Sequence, residues 1–380
     1  MAVRLHWFLP TNGDSRTDLS LGNAVGAHGA RIDAATTTER RADLGYMAQI
    51  ARAAEALGFE AALTPTSSWC EEAWVMTAAL SQQTRTFKYL VAFRPGLQSP
   101  TLAAQAAATY QRVSGDRLLL NVVVGGDAVE QRRYGDAIDK DSRYARADEF
   151  LAIVRKLWSG ELVDFAGEWY EIEGARLLDP PAWPTVYLGG SSPAAIEVAA
   201  RRADVFLTWG EPPGQVAAKL DAVREAADRE GRELGFGIRL HAITRDTAEE
   251  AWAVAGRLLA GLSPEQIAGA QSIQRGSESE GQRRMQELHR GRTDDLEVAP
   301  NLWAGIGLVR GGAGTALVGS HEEVADRIGE YHDLGIDEFI LSGYPHLEEA
   351  YRVGEGLLPV LRARGLVVDG ERALNPAGVD

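Results

Sequence analysis

Arg239 and His241 are the residues whose types and spacing point most directly to chemistry. They end the run Phe236-Gly-Ile-Arg-Leu-His241, in which every second residue is apolar. A period of two predicts a β-strand and places Arg239 and His241 on the same side of it. A fixed cation beside a titratable imidazole can bind an anion and move a proton. The alternative is a half-exposed strand whose polar face simply meets solvent.

A second pattern, Gly189-Gly190-Ser191-Ser192, lies between a predicted strand and a predicted helix over 193–202. Serine hydroxyls and the free N–H groups of a helix start favour phosphate binding, although a plain capped helix would look the same. A dinucleotide site is disfavoured, because no GxGxxG motif opens the first βα turn.

Three further side chains are candidates with two readings each. Cys70 follows a predicted strand, but no local base would activate it, so a small buried hydrophobe is the alternative to a nucleophile. Trp209 ends a predicted strand and Trp7 lies on the first one, and each indole either walls a flat pocket or packs in the core. No HxH, HExxH or 2-His-1-carboxylate spacing occurs, so we predict no catalytic metal.

The elements that must position these residues alternate along the chain. Buried strands are predicted to begin near residues 3, 59, 87, 117, 185, 205, 236 and 337, and most are followed by a helix. Eight βα units predict an α/β fold of the (β/α)8 TIM-barrel type, whose ligands bind at the carboxyl ends of the strands. The barrel is expected to span 1–365, with a peripheral tail over 366–380. A long first βα loop, 11–41, and a partly mobile, lid-like insertion, 263–321, interrupt it.

The composition of the chain disfavours two classes of binding partner, nucleic acids and anionic membranes. The chain has 380 residues, is 45% hydrophobic, and carries a formal net charge of -15. Such an acidic protein repels nucleic acid and anionic membranes. No apolar run reaches the roughly 18 residues of a membrane span, and no signal-peptide pattern opens the chain, so a cytoplasmic location is expected. A single cysteine excludes an internal disulfide.

Long and unusual stretches of the sequence resemble the bacterial-luciferase-like flavin monooxygenases, in particular their alkanesulfonate monooxygenase branch. The resemblance covers roughly residues 3–361. The most specific stretches are WFLPTNGD (7–14), CEEAW (70–74), LGGSS (188–192), LTWGEPP (207–213), FGIRLH (236–241), PNLWAGIGLVRGGAGTALVG (300–319) and SGYPHLEEAYRVGE (342–355).

The resemblance implies a barrel enzyme that receives reduced FMN from a separate NAD(P)H-dependent FMN reductase. With O2 it would cleave the carbon–sulfur bond of a small anionic organosulfonate to give an aldehyde and sulfite. Members of the family are usually homodimers or homotetramers. The alternatives are oxidation of a different small anionic or sulfur-containing substrate, hydride transfer with coenzyme F420, and a non-enzymatic flavin-binding or light-emission-associated protein.

The resemblance also assigns site residues. The catalytic set is Arg239, His241, Arg310, Tyr344, Cys70 and Trp209, and the cofactor-binding set is Trp7, Asn121, Tyr144, Gly190, Ser191 and Ser192. Arg239 and His241 are expected to face the flavin and the substrate, with a neutral His241 as one candidate proton acceptor. Arg310 is expected to help close the insertion over the site. Because a buried sulfonate needs cationic donors, an acidic protein must supply them locally.

The sequence also departs from the family around the expected pocket mouth. Its first βα loop is longer than usual, Trp69 stands beside Cys70 in a changed turn, and Val124 replaces a threonine. These changes predict a substrate other than a simple short alkanesulfonate.

Overall fold

The computed structural model describes residues 2–15, 19 and 39–367. Its strands are β1 (Arg4–Phe8), β2 (Asp14–Ser15), β3 (Glu39–Arg40), β4 (Ala61–Thr64), β5 (Lys88–Phe93), β6 (Leu118–Val122), β7 (Val163–Ala166), β8 (Glu171–Ala175), β9 (Val186–Gly189), β10 (Val205–Trp209), β11 (Gly235–Arg239), β12 (His241–Arg245), β13 (Glu297–Ala299), β14 (Leu302–Trp303), β15 (Ala316–Ser320) and β16 (Glu338–Ile340).

The helices are α1 (Leu44–Leu57), α2 (Ala73–Ser81), α3 (Pro100–Ser114), α4 (Ala128–Arg133), α5 (Lys140–Leu157), α6 (Pro193–Arg202), α7 (Pro213–Arg229), α8 (Ala248–Ala260), α9 (Pro264–Gln274), α10 (Glu280–His289), α11 (His321–Asp333), α12 (His346–Arg352) and α13 (Leu358–Ala363). A π-helical turn, Val353–Leu357, joins α12 to α13. None of the helices within the described ranges is both long and apolar enough to cross a bilayer.

Eight parallel strands close into a barrel in the order β1-β16-β11-β10-β9-β6-β5-β4. Each coincides with one of the eight predicted strands, so the predicted (β/α)8 TIM-barrel fold is confirmed. Alternation along the strands separates two apolar layers. Phe8, Leu63 and Leu119 fill the barrel interior, whereas Trp7 and Ile50 pack between the barrel and its helices.

The predicted strand that begins at Phe236 divides at Leu240. Its first half, β11, belongs to the barrel, and its second half, β12, pairs in parallel with β15 in a separate four-stranded sheet. The main-chain N–H of His241 donates to Thr315 O at 2.9 Å, and that of Ala242 donates to Ser342 O at 2.8 Å. The sequence pattern is continuous across this division, because the change of partner depends on a strand some 75 residues away.

The insertion contains more regular structure than its sequence pattern indicated. It holds α9, α10 and the strands β13 to β15. The buried face of α10 is formed by Gln282, Met285 and His289. Because two of these three side chains are polar, the sequence of α10 does not show the helical repeat of apolar residues that predicts a helix. The predicted loop 11–41 lies mostly, and the tail 366–380 almost wholly, outside the described residues.

Candidate active site

A cavity of about 230 Å³ lies at the carboxyl ends of the barrel strands. The loops after β6, β9 and β10 form its walls, and the segment from Ser277 to Gln282 at the start of α10 covers it. This is the end of a (β/α)8 barrel at which ligands bind. Seven of the residues predicted for the site line the cavity: Asn121, Tyr144, Gly190, Ser191, Ser192, Trp209 and Arg239.

One end of the cavity is lined by hydroxyl groups at the start of α6. Ser192 caps this helix, its Oγ accepting a hydrogen bond from Ala195 N at 3.3 Å. Burial raises the pKa of Tyr144 to about 12, although its hydrogen bond with Ser192 opposes the shift, so the phenol is a neutral donor. Hydroxyls beside the unpaired N–H groups of a ten-residue helix suit a phosphate.

Gly190 packs closely against the start of α6 and Tyr144. A Cβ added there would lie 2.5 Å from Ala195 Cβ and 3.0 Å from the Tyr144 hydroxyl. Both distances are shorter than carbon and oxygen atoms tolerate without displacement, so only glycine lets the backbone pass this close to the helix start and the tyrosine. The residues present therefore fit the phosphate group of FMN.

Arg239 also lines the cavity and is only 4% exposed. Its Nη2 donates to Ser342 Oγ at 2.8 Å, and its Nη1 donates to the carbonyls of Leu240 and Ile340. All of these partners, within the described part of the chain, are neutral oxygen atoms. Burial, followed by repulsion from Arg310, lowers the pKa of Arg239 well below its ordinary value. A buried cation without a carboxylate partner is stabilised strongly by an anion.

Arg310, His241 and Tyr344 form one buried cluster beside Arg239. Nη1 of Arg310 lies 2.7 Å from His241 Nε2 and donates to the Tyr344 hydroxyl at 3.1 Å. The rings of His241 and Tyr344 stack with centroids 5.6 Å apart. The structure thus brings together the four predicted residues from β11, β12, the insertion and the segment after β16.

Phe8 and Ser342 hold this cluster in place and were not predicted from the sequence. The guanidinium carbons of Arg239 and Arg310 lie 4.6 Å and 5.3 Å from the centroid of the Phe8 ring, a cation–π geometry. Ser342 bridges Arg239 and His241 Nδ1, the latter at 2.7 Å. Ser342 stands two residues after β16, so the rule that polar residues at strand ends face the ligand could have found it.

His241 is neutral in this environment. Burial, followed by the charges of Arg310 and Arg239, lowers its pKa well below the usual range. Because the arginine can only donate, His241 Nε2 must accept from it, and the proton must therefore be on Nδ1, which faces Ser342. His241 links the two arginines but has no free lone pair in this arrangement.

The two tryptophans predicted for the site, Trp7 and Trp209, lie in different surroundings. Trp7 is fully buried outside the barrel wall, and its Nε1 donates to His346 O at 3.1 Å. It packs against Phe59, with ring centroids 5.1 Å apart, and does not line the cavity, so the structure supports the core alternative. Trp209 is half-buried and does line it. A Cβ on Gly281 would lie 3.0 Å from the Trp209 ring, so α10 sits directly on the indole.

Burial raises the pKa of the Cys70 thiol to about 12, with the neighbouring Thr11 acting in the opposite direction. A raised pKa keeps the thiol neutral at physiological pH, which disfavours Cys70 as a nucleophile.

We expect iodoacetamide to alkylate native Cys70 at pH 8 roughly 10³-fold more slowly than an ordinary thiol, since the thiolate fraction falls by about that factor. The rate should still be rising at pH 10. Denatured protein is the control, and a plateau of the native rate near pH 8.5 would contradict the assignment.

The cover of the cavity is fastened to the barrel by polar contacts. Gln282 Oε1 accepts a hydrogen bond from Gly312 N at 2.8 Å, two residues after Arg310. Arg284 on α10 pairs with Glu211, which is fully buried and also lies 2.5 Å from Lys219 Nζ. These contacts connect α10 with the arginine cluster on one side and with the end of β10 on the other.

Known proteins share this architecture. A family model described as luciferase-like monooxygenase matches residues 22–338. Three solved structures each cover 97% of this chain: a riboflavin lyase with modified FMN and riboflavin (TM-score 0.78, 21% identity, 93% of that chain), the long-chain alkane monooxygenase LadA (0.76, 18%, 93%) and DmoA from Hyphomicrobium sulfonivorans (0.76, 19%, 90%). Identities this low show a common fold and nothing about substrate. The family model, in contrast, matches most of the sequence, and on that ground the chain belongs to the luciferase-like monooxygenase family.

Proposed function

We propose that this protein is a two-component, FMNH2-dependent monooxygenase that uses O2 to convert an organosulfonate to an aldehyde and sulfite. The observation that carries the proposal is the cavity itself. Its lining offers hydroxyls and a helix start to a phosphate, and it offers the buried guanidinium of Arg239 to a second anion. A flavin mononucleotide and a sulfonate satisfy these two sets of donors.

The chain's own residues have distinct tasks in this proposal. Ser191, Ser192 and Tyr144 hold the phosphate of FMN. Bound reduced FMN supplies the electrons with which O2 is activated. Arg239 binds the sulfonate, whose oxygens match the planar donors of a guanidinium, and neutral His241 with Ser342 fixes the direction of that guanidinium.

The insertion excludes water from the cavity. Ser277, Gly281 and Gln282 line its outer side, and Gly281 rests on Trp209. We propose that this segment withdraws for ligand entry and closes for the reaction, since a reduced flavin that meets O2 beside bulk water passes its electrons to O2 and hydrogen peroxide is released. The flavin comes from an NAD(P)H-dependent FMN reductase, and the assembly is a homodimer or homotetramer.

The proposal is tested by combining the purified chain with an FMN reductase, NADPH, FMN and a series of sulfonates. We expect sulfite, measured with a thiol reagent, to form in an O2-dependent reaction. Sulfonates bulkier than short linear chains should be preferred, because the first loop is long; a marked preference for short linear chains would refute that expectation. A rival F420-dependent activity predicts turnover without O2. Failure to release sulfite from any sulfonate would refute the desulfonation.

Replacing Gly190 by alanine tests the phosphate end. The added Cβ meets Ala195 and the Tyr144 hydroxyl, and overpacking of this kind costs about 1–3 kcal/mol. We therefore expect the dissociation constant for FMN, measured by fluorescence titration, to rise about tenfold or more. Gly214→Ala is the matched control, because a Cβ there meets nothing within 4 Å. Equal affinities of the two variants would place the phosphate elsewhere.

A further inference from the structure

The reaction releases a proton, and the two histidines of the site differ in their ability to accept it. His241 has no lone pair to offer, because its Nε2 accepts from Arg310 at 2.7 Å and its Nδ1 proton faces Ser342. His346 is equally buried, with no exposed surface, yet its Nε2 has no hydrogen-bond partner among the described residues. A buried polar atom without a partner is costly and requires an explanation.

The other ring nitrogen of His346 is fixed by a carboxylate. Nδ1 lies 2.9 Å from Asp14 Oδ1, and the main-chain N–H of His346 donates to Asp14 Oδ2 at 2.8 Å. Burial opposes ionisation of Asp14, but its pairing with His346 and the hydrogen bonds from His346 and Tyr46 hold the pKa of the carboxyl below its usual value. An ionised carboxylate only accepts, so Nδ1 carries the proton. Burial lowers the pKa of His346, although Asp14 opposes the shift, so the ring is neutral and Nε2 carries the lone pair.

Asp14 is itself held from two further sides. The Tyr46 hydroxyl donates to its Oδ2 at 2.5 Å, and Ser15 N donates to its Oδ1 at 2.9 Å. Arg40 donates in turn to the Tyr46 hydroxyl at 3.0 Å. A carboxylate oriented this firmly serves to set the tautomer of an imidazole and to stabilise the cation that forms on protonation.

The imidazole of His346 lies against the arginine cluster. Its centroid is 5.1 Å from that of Tyr344 and 5.6 Å from that of Phe8, and these are the two rings that contact Arg310. Two other histidines of the described chain have a ring nitrogen without a partner. His6 lies in the middle of β1 beside Glu338, and His289 lies on α10. Neither is placed beside Arg239.

We propose that His346, oriented by Asp14, is the proton acceptor of this site. The inference rests on the proposed desulfonation. In the net step, the C–H bond next to sulfur breaks and its proton forms a bond to Nε2. The electron pair of that C–H bond becomes a bond to one oxygen atom of O2, and the carbon–sulfur pair leaves with sulfite. The other oxygen atom leaves as water with the two electrons and two protons that reduced FMN would supply. The imidazolium is balanced by the Asp14 carboxylate, which acts as a positioning residue.

The kinetic test compares H346N with wild type. Asparagine can still donate to Asp14 but has no basic nitrogen. We expect sulfite turnover to fall by about 10²–10⁴-fold, the range for loss of a general base, while the dissociation constant for the sulfonate stays within about threefold and NADPH oxidation with peroxide release continues. H6Q is the matched control, a second buried histidine with a partnerless nitrogen, and should retain wild-type turnover per folded molecule. Near-normal sulfite turnover in H346N would overturn the proposal.

A spectroscopic test is independent of the substrate. In resting protein labelled with ¹⁵N-histidine, the His346 signals, assigned by their loss in H346N, should show a protonated Nδ1 and an unprotonated Nε2. D14N should change this tautomer and reduce sulfite turnover by at least about 10²-fold. A protonated Nε2 in wild type would overturn the assignment even if sulfite is formed. A normal tautomer with no sulfite from wild type would instead refute the proposed function. If H346N does not fold, D14N supplies both the assignment and the kinetic comparison.

Discussion

Replacing Arg239 by alanine is expected to abolish sulfite release, with a fall in kcat/KM of at least about 10³-fold. The guanidinium is buried, faces the cavity and bonds only neutral oxygens within the described residues, so it is the group that the sulfonate must use. Loss of one donor to a developing charge costs about 2.7–4 kcal/mol, and loss of the cation adds to it. The measurement is coupled sulfite formation over a range of sulfonate concentrations.

Two variants separate this effect from loss of structure. Arg239→Lys keeps the positive charge but loses the planar set of N–H donors, and it should retain a small part of the activity. Arg117→Ala removes an arginine at the start of β6 that also donates to neutral carbonyls, those of Ser81 and Thr84. It should lower stability without changing the KM for sulfonate. If Arg239→Ala kept near-normal turnover, the anion site would be misplaced.

Replacing Glu211 by alanine is expected to destabilise the folded protein by about 3–5 kcal/mol, the cost of leaving a buried charge without its partner. Glu211 is fully buried between Lys219 and Arg284. Burial already lowers the pKa of Lys219, and the carboxylate opposes that shift. Without Glu211 the ammonium is left buried, and α10 loses its attachment to β10. Urea denaturation measures the free energy of unfolding, and limited proteolysis of 263–321 reports the release of α10.

The matched control for Glu211 is Glu287, on α10 itself. Its pair with Arg283 is exposed on both sides, by 61% and 60%, and surface pairs contribute at most about 1 kcal/mol. Glu287→Ala should therefore leave unfolding almost unchanged. Equal effects of the two substitutions would show that the contacts of Glu211 with Lys219 and Arg284 do not attach the insertion to the barrel.

The barrel was predictable because its signals are local. Each βα unit has an apolar strand followed by a helical period, and eight such units leave few other folds. The prediction was incomplete where partners are distant. Nothing near Leu240 reveals that the following residues pair with β15, and the polar buried face of α10 hides its helical period.

Part of the site could be predicted for the same reason. Arg239 follows from strand alternation, and Ser192 from the pattern of a helix start. Asp14 and His346 are 332 positions apart in sequence, so only the closed barrel shows that they meet. Trp7 illustrates the opposite case, since one residue of strand register decides whether a side chain faces the cavity or the helices.

A crystal structure with FMN and an alkanesulfonate bound tests the central claim most directly. The account predicts the phosphate within hydrogen-bond distance of Ser191, Ser192 and Tyr144, and the sulfonate oxygens on the guanidinium of Arg239. A flavin bound outside this cavity, or a sulfonate held by residues away from Arg239, would contradict it.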